Sequence, residues 1–126
     1  MRILDLFSGA GGAADDVELA WAAGFFDGEG YVGVRRDKRP GRKLALQIGI
    51  EQVDERPLAR FAAAVAWSGS PKLRPTQRAT TRRPIYRLIM GHADTVQTMR
   101  VLWPYLSVPK REQFLRAAAE VDNANS

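Results

Sequence analysis

Two carboxylates stand at alternate positions where an apolar, small-residue stretch ends: Asp27 and Glu29 in Ala22-Ala23-Gly24-Phe25-Phe26-Asp27-Gly28-Glu29-Gly30. A helix meant only for burial has no use for an acid at its last turn. A helix whose end must meet another around a metal ion does, because carboxylate oxygens are what hard divalent cations take as ligands. Other site chemistries are closed off. Cysteine is absent, which excludes a disulfide, a thiolate zinc site and a cysteine nucleophile. His92 is the only histidine. It falls where a strand gives way to a helix and reads as a cap or surface residue, so no histidine-based site is expected.

The chain that must position these acids has 126 residues, 45% of them apolar, enough for one globular domain with a modest core. No run approaches the roughly 20 apolar residues of a membrane span, and no signal-peptide pattern opens the sequence. Both point to a cytoplasmic protein with no membrane partner. Nineteen basic against fourteen acidic residues give a net charge of +5. Their distribution says more: between Arg35 and Arg87 stand fourteen Lys/Arg and four Asp/Glu, whereas the remainder holds five and ten. A central basic block inside a folded domain is the footprint of a polyanion, nucleic acid first of all.

Asp15, with Glu18 three residues on, reads as a capping box opening a first helix from about Val17 to Gly28. Ala20, Gly24 and Gly28 recur every four residues along it, a small-residue stripe that lets another backbone come close. Strands are expected over about 30–36 and 43–52. In the second, apolar side chains take every other place, leaving Ala45, Gln47 and Gly49 on the opposite face. The hairpin tip between them, residues 35–43, carries six basic residues and turns at Pro40-Gly41. Asp54 opens a second helix reaching about Trp67, with Pro57 in its first turn. Further strands at about 72–80 and 85–90, a helix over about 93–103 broken by Pro104, and a last helix from Lys110 to Val121 complete the order αββαββαα. The domain is thus 15–121, with a loose tail at 122–126.

The nine residues 22–30 resemble the signature of the LAGLIDADG homing endonucleases: small, Ala, Gly, apolar, apolar, Asp, small, acidic, Gly. Ala22 stands where Leu is usual, and Glu29 where the second acid is usually Asp. The expected element order is that family's core as well. The resemblance implies an α+β fold in which a four-stranded antiparallel saddle sheet lies on DNA. One copy of the signature implies a homodimer, joined through Ala20, Ala23, Gly24, Asp27 and Gly28. It further implies Mg²⁺ (or Mn²⁺) held by Glu29, with Asp27 mainly structural. Gln52 and Arg56 match family positions that orient water and stabilise phosphate charge. Lys110 matches a basic catalytic residue when aligned on Glu112-Gln113, whereas alignment on Tyr105-Leu106 puts Pro109 there. DNA contacts fall to Arg35, Arg39, Arg42, Gln47, Lys72, Arg74, Arg78 and Arg87. Arg87 is the best strand-borne reader, because Tyr86 and Leu88 belong to the opposite, buried face.

Residues 4–12, Leu-Asp-Leu-Phe-Ser-Gly-Ala-Gly-Gly, look like the first motif of DNA cytosine-5 methyltransferases. Methyltransferase activity is not implied, since that family's nucleophile is a cysteine and its fold needs several more βα units. Residues 1–14 therefore read as a weakly anchored, host-gene-like tag on an element that interrupts a methyltransferase gene, a mobile intron by preference. The functional expectation is a sequence-specific, Mg²⁺-dependent DNA endonuclease cutting a long, roughly palindromic site. The competing reading is a noncatalytic DNA- or RNA-binding module on the same fold, a repressor or an intron maturase.

Overall fold

The computed structural model describes residues 2–3, 15–36, 41, 43–74 and 83–125. Eight regular elements follow in the expected order: α1 (Asp16–Glu29), β1 (Gly30–Arg35), β2 (Ala45–Gln52), α2 (Glu55–Ala64), β3 (Lys72–Leu73), β4 (Tyr86–Met90), α3 (His92–Leu102) and α4 (Val108–Asn125). A 3-10 turn at Trp103–Tyr105, with Pro104 inside it, separates α3 from α4. The strands form one antiparallel sheet in the order β1-β2-β4-β3.

Alternation along the strands divides the sheet into two faces. Val32, Leu46, Ile48, Ile50, Leu88 and Met90 are buried on one of them, where they join Leu19, Ala22, Ala23 and Phe26 of α1, Leu58 and Phe61 of α2, Met99 and Leu102 of α3, and Phe114 of α4. Phe26 and Phe61 stack with ring centroids 6.0 Å apart at the centre of this core. The opposite face carries Tyr31, Arg35, Gln47, Glu51, Lys72, Arg87 and Ile89, all half-buried or exposed.

Helix ends account for most differences from the sequence reading. Asp15 caps α1, accepting from the N–H groups of Val17 at 3.0 Å and Glu18 at 3.3 Å. The Glu18 carboxylate does not reach back to complete a box; Arg60 of α2 forks onto it at 2.8 and 3.0 Å. A bidentate, doubly charged contact outcompetes a single backbone donor. Helix α2 stops at Ala64, short of Trp67. Ala66 turns to φ 57°, its N–H donates to Ala63 O at 3.1 Å, and the Trp67 N–H wraps back to Ala62 O at 2.8 Å. This C-terminal wrap is usually signalled by glycine, and Ala66 gives no such signal.

Helix α4 begins earlier than expected because Ser107 caps it: the hydroxyl accepts from Lys110 N–H at 3.3 Å. Pro109 sits in the first turn, where its missing N–H costs nothing. The helix also runs on to Asn125 instead of ending near Val121. The Asn125 side chain donates to Leu44 O at 3.0 Å, and Asp122 accepts from the Ile3 N–H at 3.1 Å. Residues 122–125 are therefore helical and tied to the sheet end. Ile3 is itself buried; the methyltransferase-like spelling at 4–12 lies outside the described residues. Of the third strand expected over 72–80, residues 72–73 are in place and 75–80 lie outside the described residues.

Candidate active site

The last turn of α1 passes directly into β1 with no loop between them. The Gly30 N–H closes the helix onto Phe26 O while Gly30 itself is extended. Only glycine fits there, since a Cβ at Gly30 would lie 2.1 Å from the Phe26 ring. The junction fixes Glu29 between a packed helix and a paired strand, with its carboxylate exposed. Gln52, the last residue of β2, donates from Nε2 to Glu29 Oε2 at 3.1 Å. Strand pairing explains the meeting: Gly30 lies opposite Ile50, which puts the end of β2 beside the end of α1.

Lys110 reaches the same junction from α4. Its Nζ donates to Gly30 O at 2.7 Å and to Gln113 Oε1 at 3.2 Å, and it lies 5.3 Å from the Phe26 ring centre. Burial pushes the Lys110 ammonium below its ordinary pKa, while the nearby Asp27 charge acts in the opposite sense. Gln113 also accepts from the Val32 N–H at 3.2 Å, so α4 is pinned to β1 through the side chain that holds Lys110. Of the two alignments open in the sequence, the lysine rather than Pro109 stands at the α1–β1 junction.

Asp27 faces the fold. Both its oxygens accept from the Ser107 N–H, at 3.1 and 3.2 Å, and Oδ1 also accepts from the Ser107 hydroxyl at 3.0 Å. It therefore braces the residue that caps α4. Arg56, at the start of α2, is turned onto Asp54, donating to both carboxylate oxygens at 2.6–3.1 Å. That contact holds the Asp54 carboxyl down at about 2. No contact from Arg56 to Glu29 or Gln52 is among those described, and its side chain is 87% exposed.

The Ala20, Gly24 and Gly28 stripe is exposed on the side of α1 away from the core, and a Cβ at either glycine would meet nothing within 4 Å. Val17, on the same side, is 74% exposed. Ala23 is buried beneath the stripe in the chain's own core, so it supports that surface without forming it.

Of the residues expected to touch DNA, Arg35, Gln47, Lys72 and Arg87 lie on the open sheet face, and Arg74 follows directly after β3. Arg39, Arg42 and Arg78 lie outside the described residues. A groove of about 350 Å³ lined by Glu51, Gln52, Val53, Arg74 and Ile85 joins this face to the Gln52 end of the site. Sequence reasoning missed three contributors. Alternation from Ile50 does place Glu51 on the open face, but not opposite Arg87, which register alone reveals. Tyr31 was recoverable as the neighbour of buried Val32, and it is 57% exposed on that face. Ser107 carried a helix-cap signal obscured by Pro109. His92 behaves as a backbone partner, its Nδ1 accepting from the Leu46 N–H at 3.0 Å.

Glu29 is a hard oxygen donor with open surroundings, which suits Mg²⁺ or Mn²⁺. Among the described residues no group of three or more His, Cys, Asp or Glu side chains could hold a metal ion within one chain. Mg²⁺ is commonly held by one or two carboxylates together with water and phosphate oxygens, so Glu29 fits as one ligand of such an ion.

No protein-family model matches the chain, and no curated protein matches it in sequence. Solved structures do match in fold. The homing endonuclease I-CvuI, in complex with a DNA target in the presence of Mg with the DNA not cleaved, superposes with a TM-score of 0.61 at 16% identity, over 85% of this chain and 69% of that one. The group I intron-encoded homing endonuclease I-CeuI, complexed with DNA, gives a TM-score of 0.61 at 13% identity over 96% of this chain. This chain spans 61% of I-CeuI. The archaeal intron-encoded homing endonuclease I-Vdi141I, also complexed with DNA, gives 0.58 at 20% identity, covering 86% of this chain and 68% of that one. Identities this low speak to fold alone: the chain has the α+β architecture of the LAGLIDADG endonuclease core, a four-stranded antiparallel sheet packed on helices.

Proposed function

We propose that two copies of this chain form a sequence-specific DNA endonuclease that cuts both strands of a long, roughly palindromic duplex in the presence of Mg²⁺ or Mn²⁺. The observation that carries this reading is the Glu29–Gln52 contact at the end of a helix whose outer side is apolar, glycine-lined and uncovered. Two such helices packed side by side bring two Glu29 carboxylates together, and each has a Gln52 amide beside it. The fold shared with DNA-bound homing endonucleases supports it further.

Glu29 holds the metal in this reading, and Gln52 fixes the carboxylate and orients water next to it. When bound, the divalent ion supplies charge stabilisation to the attacking and leaving oxygens of the phosphodiester. Lys110, packed beside Gly30, brings positive charge to the scissile phosphate. Arg56 does the same once it leaves Asp54 for the stronger local anion. Arg35, Gln47, Lys72, Arg74 and Arg87 face the duplex, together with the hairpin residues Arg39 and Arg42 and with Arg78. The spelling of residues 4–12 supports an origin in a mobile intron that interrupts a DNA methyltransferase gene.

The test is incubation of the protein with an intronless methyltransferase gene, with Mg²⁺ and with EDTA. A double-strand break at one locus, lost in EDTA, is the expected result. Tight, specific binding with no break under either condition would favour a noncatalytic module instead.

A further inference from the structure

Glu51 is an acid set into the middle of the basic face. Cross-strand register aligns it with Arg87 and Lys72 in one row across β2, β4 and β3. Arg74 donates from Nη1 to Glu51 Oε2 at 3.1 Å, and Arg87 Nε lies 3.8 Å from the same oxygen. The three side chains are each more than a third exposed, at 40% for Arg74, 37% for Arg87 and 45% for Glu51. Ion pairs this exposed add little to folding stability, so the arrangement is not explained as a staple. Against a phosphate backbone the carboxylate is unfavourable, and it cancels one of the two positive charges in its row. Against base edges it has a partner, because a carboxylate accepts from the N4 amino group of cytosine while an arginine forks onto guanine O6 and N7.

Resting on the reading that this face lies on duplex DNA, we infer that Glu51 and Arg87 together form a composite reader of one G·C pair in each half-site, with Arg74 as the buttress that holds the Glu51 carboxylate in place. A guanidinium beside a carboxylate presents donors next to an acceptor, the complement of the acceptors and amino donor along a G·C edge. An A·T pair offers Arg87 one purine acceptor instead of two. The same carboxylate lowers affinity for arbitrary DNA, so specificity rises through both parts of the ratio between specific and nonspecific binding.

The experiment selects bound sequences from a library of randomised duplexes, in EDTA so that binding alone is read. It compares the full chain with Glu51→Gln and Glu51→Asp, and measures affinity for one random duplex against salt. The wild type is expected to fix a G·C pair at one position per half-site. In Glu51→Gln that preference should fall by about tenfold. Its affinity for the random duplex should rise by about fivefold at physiological salt, with a salt slope steeper by about two, one for each copy. Glu51→Asp, which keeps the charge but shortens the reach, should lose the base preference without the gain on random DNA. An unchanged selection and unchanged random-duplex affinity in Glu51→Gln would overturn the inference while leaving DNA binding intact. An equal loss on all sequences would overturn it too, reducing Glu51 to a brace. A wild type that enriches no sequence would sink both this inference and the endonuclease reading.

Discussion

The Gln52 amide on the Glu29 carboxylate is the contact on which the proposed chemistry turns. Glu29→Gln keeps the side chain's size and its ability to bond Gln52, yet removes the charge that a divalent ion needs. Specific duplex binding should survive and hydrolysis should collapse, read by gel shift alongside single-turnover cleavage. Gln52→Ala leaves the carboxylate but not its orientation. Loss of such an outer partner typically costs 10–100-fold, so cleavage should fall by about that much and recover partly at high Mg²⁺. Full activity in Glu29→Gln would remove Glu29 from the site altogether. Each residue was legible in the sequence through its place in a family pattern. Their contact was not, because residues 23 positions apart meet only through the β1–β2 register.

Helix α1 has two apolar sides, and that is its meaning. One, with Leu19, Ala22, Ala23 and Phe26, fills the core; the other, with Val17, Ala20, Gly24 and Gly28, is exposed, and among the described residues nothing lies within 4 Å of a Cβ placed at either glycine. Gly24→Leu has room in the single chain and exchanges a poor helix former for a good one, a gain of roughly 0.5–1 kcal/mol in the monomer. It should nevertheless abolish close helix approach between copies, giving a thermally stable monomer with little cleavage. Sedimentation decides the matter, and a normal dimer would dismiss the assigned interface. The first turn of α2 yields a pH prediction. Arg56 holds the Asp54 carboxyl at about 2 in the fold, against an ordinary 3.8. The folded state therefore binds fewer protons than the unfolded one in that window. The contribution is complete above 3.8 and disappears as pH falls toward 2. Asp54→Asn, which retains a capping oxygen, should have a lower urea midpoint than the wild type at pH 7. The gap should narrow by about pH 3. A gap independent of pH would show that the pair does not act through charge.

For the assembled protein, charge placement governs how it meets DNA. Arg35, Lys72, Arg74 and Arg87 face one way, offset by Glu51, which leaves three net positive charges per copy on the described part of the sheet face. Two copies on a duplex, each charge releasing a counterion, predict a plot of log affinity against log salt with a slope of about −5 or steeper. The hairpin cations, including Arg39 and Arg42, push it further. A slope near −1 would mean that the sheet face does not lie on phosphate. No described helix is long and apolar enough to cross a membrane, so the apolar outer side of α1 is not part of a helical span.

What the residues announced alone were features of local period and spelling. The nine-residue signature, the alternation of β2, the order αββαββαα and the central basic block all depend on neighbours within a few positions, and those are visible in a linear string. The chain could not announce where its helices stop: Ala66 adopts a left-handed turn without glycine, and Asn125 and Asp122 extend α4 because Leu44 and Ile3 offer them partners. Nor could it announce the direction of its ionic groups. Glu18 goes to Arg60, 42 residues away, and Glu51 to Arg74, 23 residues away. Such choices depend on distances of a few ångströms between segments tens of residues apart, and only sheet register and helix packing set those distances.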